Sequence, residues 1–299
     1  SACDRAAVHP RGAILFGAVS DEPIGILRKK YDLFANLRPI RMWPVLLNSS
    51  PLKPSVSGAI DLVVVRELVS DVYYGEARAG VDARGAWASQ EMFYAEPEVR
   101  RITRVALALA QERRGRLVLV HKGNVIKDVF AIWSRVLREE QARHPAVACS
   151  EALVDNMAMQ MVLRPAAFDV VLCSNLFGDI LSDLGAGLLG SLGLLPSVSF
   201  NERGFGLYEP VSGTAPDIAG QGIANPLASI LSVAMWCRHT LKLPGAAGWI
   251  EDAAQHVLES CRTADLALDG RKLVGTLDMG AALRARLRAT AQRVQGDAQ

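Results

Sequence analysis

No apolar run in this 299-residue chain reaches the roughly 18 residues needed to cross a bilayer as a helix. Ser1–Arg11 lacks the apolar core and small-residue cleavage pattern of a secretory leader. Both absences predict a soluble, cytoplasmic protein with no membrane partner. The five cysteines (Cys3, Cys149, Cys173, Cys237 and Cys261) form no CxxC pair, which argues against a disulfide framework or a zinc site and fits a reducing compartment. An excess of one charge is also missing. The 33 Lys and Arg against 31 Asp and Glu leave a formal net charge of +2, too weak a field to predict nucleic acid binding. Internal repeats and low-complexity segments are absent, so no solenoid is expected. What remains is 50% apolar and 21% charged, enough to bury a large core in one or two domains.

Short apolar or β-branched runs at Ala13–Ala18, Ile60–Arg66, Leu117–Val120 and Val170–Cys173 alternate with stretches of helical period. The helical stretches are Pro97–Arg113, Ile126–Arg143, Asp155–Arg164, Leu176–Leu189, Pro226–His239 and Glu251–Ser260. This alternation predicts an α/β fold, with Asn48–Pro54 and Gly204–Gly206 as breaks between elements. Gly185–Gly190 (GAGLLG) satisfies GxGxxG, but it continues an apolar helical stretch instead of following a strand. It is read as small residues that let helices pack closely.

Asp179 and Asp183 stand four apart in a helical stretch, so their carboxylates share one face and invite a hard divalent cation; a solvated helix face is the plainer alternative. Arg28, Arg38 and Arg66 lie among apolar neighbours. A desolvated guanidinium keeps its charge and must meet an anion, either a ligand or an internal partner such as Glu67 or Asp32. Lys122 follows a predicted strand, at the end where α/β active sites gather, and Tyr73 follows Arg66 by seven residues. Asp155 opens a methionine-rich helix whose Met157, Met159 and Met161 are expected to pack in the core or at an interface.

Together these strings resemble the β-decarboxylating dehydrogenases, the family of isopropylmalate and isocitrate dehydrogenases, from about Gly12 to near the C-terminus. The most specific stretches are Leu27–Pro39 (LRKKYDLFANLRP), Val65–Glu67 with Tyr73–Gly75, Phe177–Asp183 (FGDILSD), and Glu209–Gly220 (EPVSGTAPDIAG) leading into Gly222–Pro226 (GIANP). The resemblance implies an isocitrate/isopropylmalate dehydrogenase-like two-domain α/β/α fold that is not Rossmann. One domain would be discontinuous, about 1–33 plus 186–299, and bind the cofactor; the other, about 34–185, would hold substrate and metal and dimerise.

The resemblance also implies NAD-dependent oxidative decarboxylation of 3-isopropylmalate or a related 3-alkylmalate, with an enolate stabilised by Mg²⁺ or Mn²⁺. Arg28, Arg38 and Arg66 would hold the carboxylates of the hydroxy diacid, with Ile24 and the partner subunit's Val125 lining an alkyl pocket. Asp179 and Asp183 would hold the metal, completed by Asp155 across a homodimer interface. Lys122, also from the neighbouring subunit, with Asp155, would take the hydroxyl proton, and Tyr73 would assist protonation at C3. Asp217, Ile218 and Asn225 would meet the adenosine end of NAD.

Three departures from the family pattern qualify this expectation. The family's opening βαβ unit, with its GDGIGP loop beside the nicotinamide, has no counterpart ahead of Gly12, so the sheet is expected to lose a strand and the cofactor a wall. Ser212 stands where the family's EPVHG motif has a histidine against the dinucleotide, which predicts weaker cofactor binding. The segment Asp21–Ile26, where substrate choice is made, is short upstream. The alternative reading is a non-catalytic or regulatory homologue that binds a dicarboxylate without productive NAD binding.

Overall fold

The computed structural model describes residues 1–19, 23–267 and 270–297, with the side chains of 23 and 294–297 excepted; Asp21 and Glu22 of the segment discussed above thus lie outside the described residues. The strands are β1 (Ala13–Leu15), β2 (Ala35–Arg41), β3 (Asp61–Glu67), β4 (Ala77–Asp82), β5 (Gly85–Gln90), β6 (Arg116–His121), β7 (Ala148–Leu153), β8 (Val170–Cys173), β9 (Pro196–Phe200) and β10 (Gly206–Pro210). The helices are α1 (Ala2–Val8), α2 (Pro23–Lys30), α3 (Pro54–Ser57), α4 (Glu96–Glu112), α5 (Lys127–Gln141), α6 (Val154–Leu163), α7 (Asn175–Leu189), α8 (Leu227–His239), α9 (Pro244–Leu258) and α10 (Thr276–Asp297).

One mixed sheet of eight strands, in the order β1-β10-β9-β2-β3-β8-β6-β7, runs through the molecule. Strands β3, β8, β6 and β7 are mutually parallel, whereas β10, β9, β2 and β3 pair antiparallel in succession. β3 is buried on both faces, which is why it reads as the unbroken apolar run Leu62–Val65. β2 alternates instead. Asn36, Arg38 and Ile40 face α7, and Leu37, Pro39 and Arg41 face the opposite layer containing α4, α8 and α9. The segments 1–33 and 186–299 supply β1, β10 and β9, and join the remainder through the β9–β2 pairing.

Local sequence explains the principal helices. α4 starts with Pro97 in its first turn and Glu98 accepting from the Ala95 N–H at 2.9 Å, and it buries Val99, Ile102, Ala106, Leu107 and Ala110 at helical spacing. α7 buries Phe177, Leu181 and Leu188 and ends at Gly190, whose φ of 95° is the left-handed cap that favours glycine. The GAGLLG string therefore lies inside and at the end of a helix. A Cβ on Gly185 would come 2.2 Å from Ile40 Cδ1, so this glycine lets α7 sit tightly on β2 and not on another helix. α9 begins at Pro244, seven residues before the expected Glu251. Met157 and Met161 are core residues, and Met159 is half exposed.

Candidate active site

Arg38 sits in mid-β2 and is 6% exposed. Its Nε donates to Asn36 Oδ1 (2.9 Å), and its Nη1 donates to Ser182 Oγ (2.6 Å) and Asp179 Oδ1 (3.3 Å), with Asp183 Oδ1 at 3.6 Å. Asn36 is itself fixed by donating to Ser197 Oγ (2.7 Å) and the Val198 carbonyl (3.1 Å) on β9. Arg66 ends β3. Its Nε donates to Asn175 Oδ1 (2.9 Å), its Nη1 to Asp179 Oδ1, and its guanidinium carbon lies 5.2 Å from the Tyr73 ring centroid. Gly178 makes room: a Cβ there would fall 2.7 Å from Arg66 Cβ and Cγ.

The segment leading into Tyr73 is tied down at two points. The Glu67 carboxylate accepts the Val69 and Ser70 N–H groups, each at 3.0 Å, and buried Asp71 accepts from Tyr94 Oη (3.2 Å) and from Leu176 N at the start of α7 (3.0 Å). Tyr73 Oη consequently reaches Asp179 Oδ2 at 2.6 Å. Arg28, on α2, completes the cluster by pairing with Glu209 of β10 at 3.0 Å. Internal pairing therefore exists, but not with the expected partners. Asp32 holds Arg101, and Glu67 holds backbone.

The cluster is electrostatically frustrated. Burial, then the neighbouring Arg66, pushes Arg38 down to about 10, and burial lowers Arg66 as well. Burial raises Glu209 and, reinforced by Asp179, raises Asp183. For Asp179, burial pushes upward but Arg66, Tyr73, Arg38 and Arg28 outweigh it and hold the carboxyl below its ordinary value. Donors also remain free. Arg28 Nε is buried without a partner, and among the described residues the Nη2 atoms of Arg38 and Arg66 donate to nothing. Guanidinium N–H groups without acceptors, one of them buried, are what an anion site requires.

Asp179 and Asp183 meet the expectation of a shared face: a single nitrogen, Arg38 Nη1, contacts both. Two hard oxygen donors suit Mg²⁺ or Mn²⁺, and so small a protein ligand set leaves coordination positions for substrate and water. Asp155 does not join them within one chain. It pairs with Lys122 at 2.6 Å, where the two close the ends of α6 and β6, and no group of three potential ligands gathers among the described residues. The lysine ammonium holds Asp155 below the usual carboxylate range. Val125, three residues beyond Lys122, is 68% exposed. Ile24 lies one turn before Arg28 on α2, half-buried against the small cluster of Ile14, Leu33 and Leu207.

The expected cofactor residues follow directly from Glu209. Ser212 is half-buried, Asp217 is exposed on a turn at Pro216–Ile218, and Ile218 is half-buried beside it. Asn225 is held by donating to Asp265 (3.0 Å) and accepting from Leu227 N (3.0 Å). Ala215, Gly220 and Gly222 have φ of 44°, 77° and 66°, leaving an open, exposed loop able to approach a ligand through its backbone. The site residues not singled out from sequence are Asn36, Asn175, Ser182, Asp71 and Glu209. Glu209 heads the EPVSG stretch, which was the available signal for it.

The chain's matches to known proteins agree with this geometry. Residues 10–283 match the isocitrate/isopropylmalate dehydrogenase family. A 3-isopropylmalate dehydrogenase of Nitrosomonas europaea is 46% identical over 284 residues, covering 90% of this chain and 79% of that protein. One from Aquifex aeolicus is 46% identical over 255 residues, covering 85% and 70%. The crystal structure of isocitrate dehydrogenase from Methylococcus capsulatus superposes with a TM-score of 0.83 at 35% identity, covering 93% of this chain and 82% of that one. On the match over residues 10–283 and the identity to these relatives, the chain belongs to the isocitrate/isopropylmalate dehydrogenase family.

Proposed function

We propose that this protein catalyses the NAD-dependent oxidative decarboxylation of 3-isopropylmalate or a related 3-alkylmalate. The observation that carries the reading is the convergence of buried Arg38 and Arg66 on Asp179, with Arg28 beside them on Glu209 and its Nε without a partner among the described residues. Arg28, Arg38 and Arg66 balance Asp179, Asp183 and Glu209, so a dianionic diacid entering with one divalent cation leaves the buried charge unchanged. Asp179 and Asp183 would hold the cation, which when bound would supply acidification of the substrate hydroxyl, and the nicotinamide would supply the hydride acceptor.

The chain's own residues do the rest. The arginines bind and orient the two carboxylates, and the Arg66–Tyr73–Asp179 contacts hold the tyrosine hydroxyl where a proton can be delivered. Lys122, kept beside Asp155, would take the hydroxyl proton in the site of a second copy as the neutral amine, after its ammonium has released a proton to solvent. Support for a homodimer comes from α6 and α7, which pack side by side and expose Met159, Leu163 and Ile180, and from the β4–β5 ribbon, where Val81 is 82% exposed. The exposed Asp217 carboxylate suits the free ribose hydroxyls of NAD and repels the additional phosphate of NADP. The proposed domains, 1–33 with 186–299 and 34–185, would hinge where β9 meets β2, closing over the substrate.

The test is NADH formation by the purified protein with Mg²⁺ or Mn²⁺ and 3-isopropylmalate. Turnover with this substrate and preference for NAD over NADP are expected. Absence of turnover with isopropylmalate, malate, tartrate, isocitrate and homoisocitrate would overturn the reading.

A further inference from the structure

The face of the sheet opposite the arginine cluster carries a cleft of about 360 Å³. That volume falls within the range of small-molecule sites, about 300–1,000 Å³. Its floor is apolar, built from Leu37, Pro39 and Val63 of the sheet with Trp43, Leu231 and Met235. Because side chains alternate along β2, Leu37, Pro39 and Arg41 face this cleft while Arg38 faces the substrate cluster, so the two sites are separated by the thickness of the sheet.

The rim is specific in its charges. Arg113 is already paired with Asp61 (2.9 Å) and Asp169 (2.8 Å), and Arg238 is held in bidentate fashion by Glu251 (2.6 and 3.0 Å). Arg41 is the lining arginine with no ion pair among the described residues, and its field still reaches Asp61. His239, on the α8 wall, has no hydrogen-bond partner among the described residues. Burial, then Arg238, pushes its imidazole down to about 4, so at neutral pH it is a polar group without charge. The Glu112 carboxylate, also on the rim and without an ion pair among the described residues, opposes a second negative charge on a ligand and accepts an ammonium.

We propose that this cleft is a second ligand site, taking a compact alkyl molecule with one carboxylate, its tail on the Leu37–Val63–Leu231 floor and its carboxylate on Arg41. The carboxylate has two possible sources, a plain alkyl acid and an apolar amino acid. Calorimetry on the intact protein with 4-methylpentanoate, L-leucine and 4-methylpentan-1-ol separates them. Saturable binding of either acid is expected, with the alcohol weaker by about tenfold.

Arg41→Gln, at an exposed position that does not threaten folding, should weaken the acids by about tenfold and leave the alcohol unchanged. Arg66→Gln, on the opposite face, should leave all three unchanged. No binding of either acid up to about 10 mM, equal binding of acid and alcohol, insensitivity to Arg41→Gln, or loss in Arg66→Gln would each overturn the proposal.

Discussion

Arg66 binds Asp179 in a buried cluster and Arg100 binds three glutamates, and their surroundings respond in opposite directions. Arg100 joins α4 to α5, with Nη1 on Glu140 (2.7 Å) and Nη2 on Glu96 and Glu139 (2.5 Å each), while Arg104 and Arg135 bind the same acids. There the hydrogen bonds dominate: the acids Glu96, Glu139 and Glu140 are lowered and Arg100, Arg104 and Arg135 are raised. Around Arg66, burial dominates for the arginines, which are lowered, and for Asp183 and Glu209, which are raised, while Asp179 alone is held down by the charges and hydroxyl around it. A network whose charges satisfy one another is structural. One that disfavours its own charges while holding free donors is prepared for a ligand, and the free energy for that preparation comes from the rest of the fold.

The largest way to break the contrast is Arg66→Gln. It should lower kcat/KM for 3-isopropylmalate on the order of a thousandfold, whereas Arg100→Gln should leave it within about twofold. Initial rates of NADH formation measure both, and equal effects would erase the distinction. Lys122→Met should likewise remove most of kcat with little change in cofactor affinity. Mixing it with Arg66→Gln during refolding sharpens the point. If sites are shared between copies, hybrid dimers regain one intact site and about a quarter of the activity returns; if each site is complete within one chain, nothing returns.

A subtler perturbation is Gly178→Ala. The added methyl meets Arg66 Cβ and Cγ at 2.7 Å and displaces the guanidinium without removing it. KM for the diacid should rise about tenfold while kcat changes by less than about threefold, since one misplaced carboxylate contact weakens binding more than chemistry. A kcat loss without a KM change would mean that Arg66 acts on the reacting centre and not on the bound carboxylate.

The same contrast explains what sequence reveals. β3 is legible because Val63, Val64 and Val65 form a continuous apolar run, and Arg66 stands at its end. Asp179 and Asp183 are legible because helical spacing alone puts them on one face. β2 and β9 were missed because their inner faces bury Asn36, Arg38, Ser197 and Ser199, polar residues that read as loop until their mutual hydrogen bonds are seen. The first half of α9 was missed because Pro244, Gly245 and Gly248 read as a breaker, although the proline merely opens the helix. Glu209 and Asn175 lie 181 and 109 residues from the arginines they bind, a separation no local pattern spans. The Asp155 and Val125 assignments rest on the family resemblance.

The smallest effect on catalysis belongs to the α4–α5 network, and it is a test of stability. Glu140 is 1% exposed, accepts from Arg104 at 2.9 Å, and is held down at about 2 from an ordinary 4.5, chiefly by that hydrogen bond. A depressed carboxylate contributes stability that is complete above its unfolded value and lost as pH falls through the folded one. The wild-type protein should therefore lose stability between pH 4.5 and about 2 on this residue's account. Glu140→Gln should be less stable at neutral pH by about 2–3 kcal/mol, because Arg100 and Arg104 lose a charged partner, and its stability should fall less steeply through that acid window. Urea unfolding at several pH values measures both, with kcat/KM unchanged. A flat difference between the two proteins across that range would show that the carboxylate's ionisation is not what holds α4 to α5.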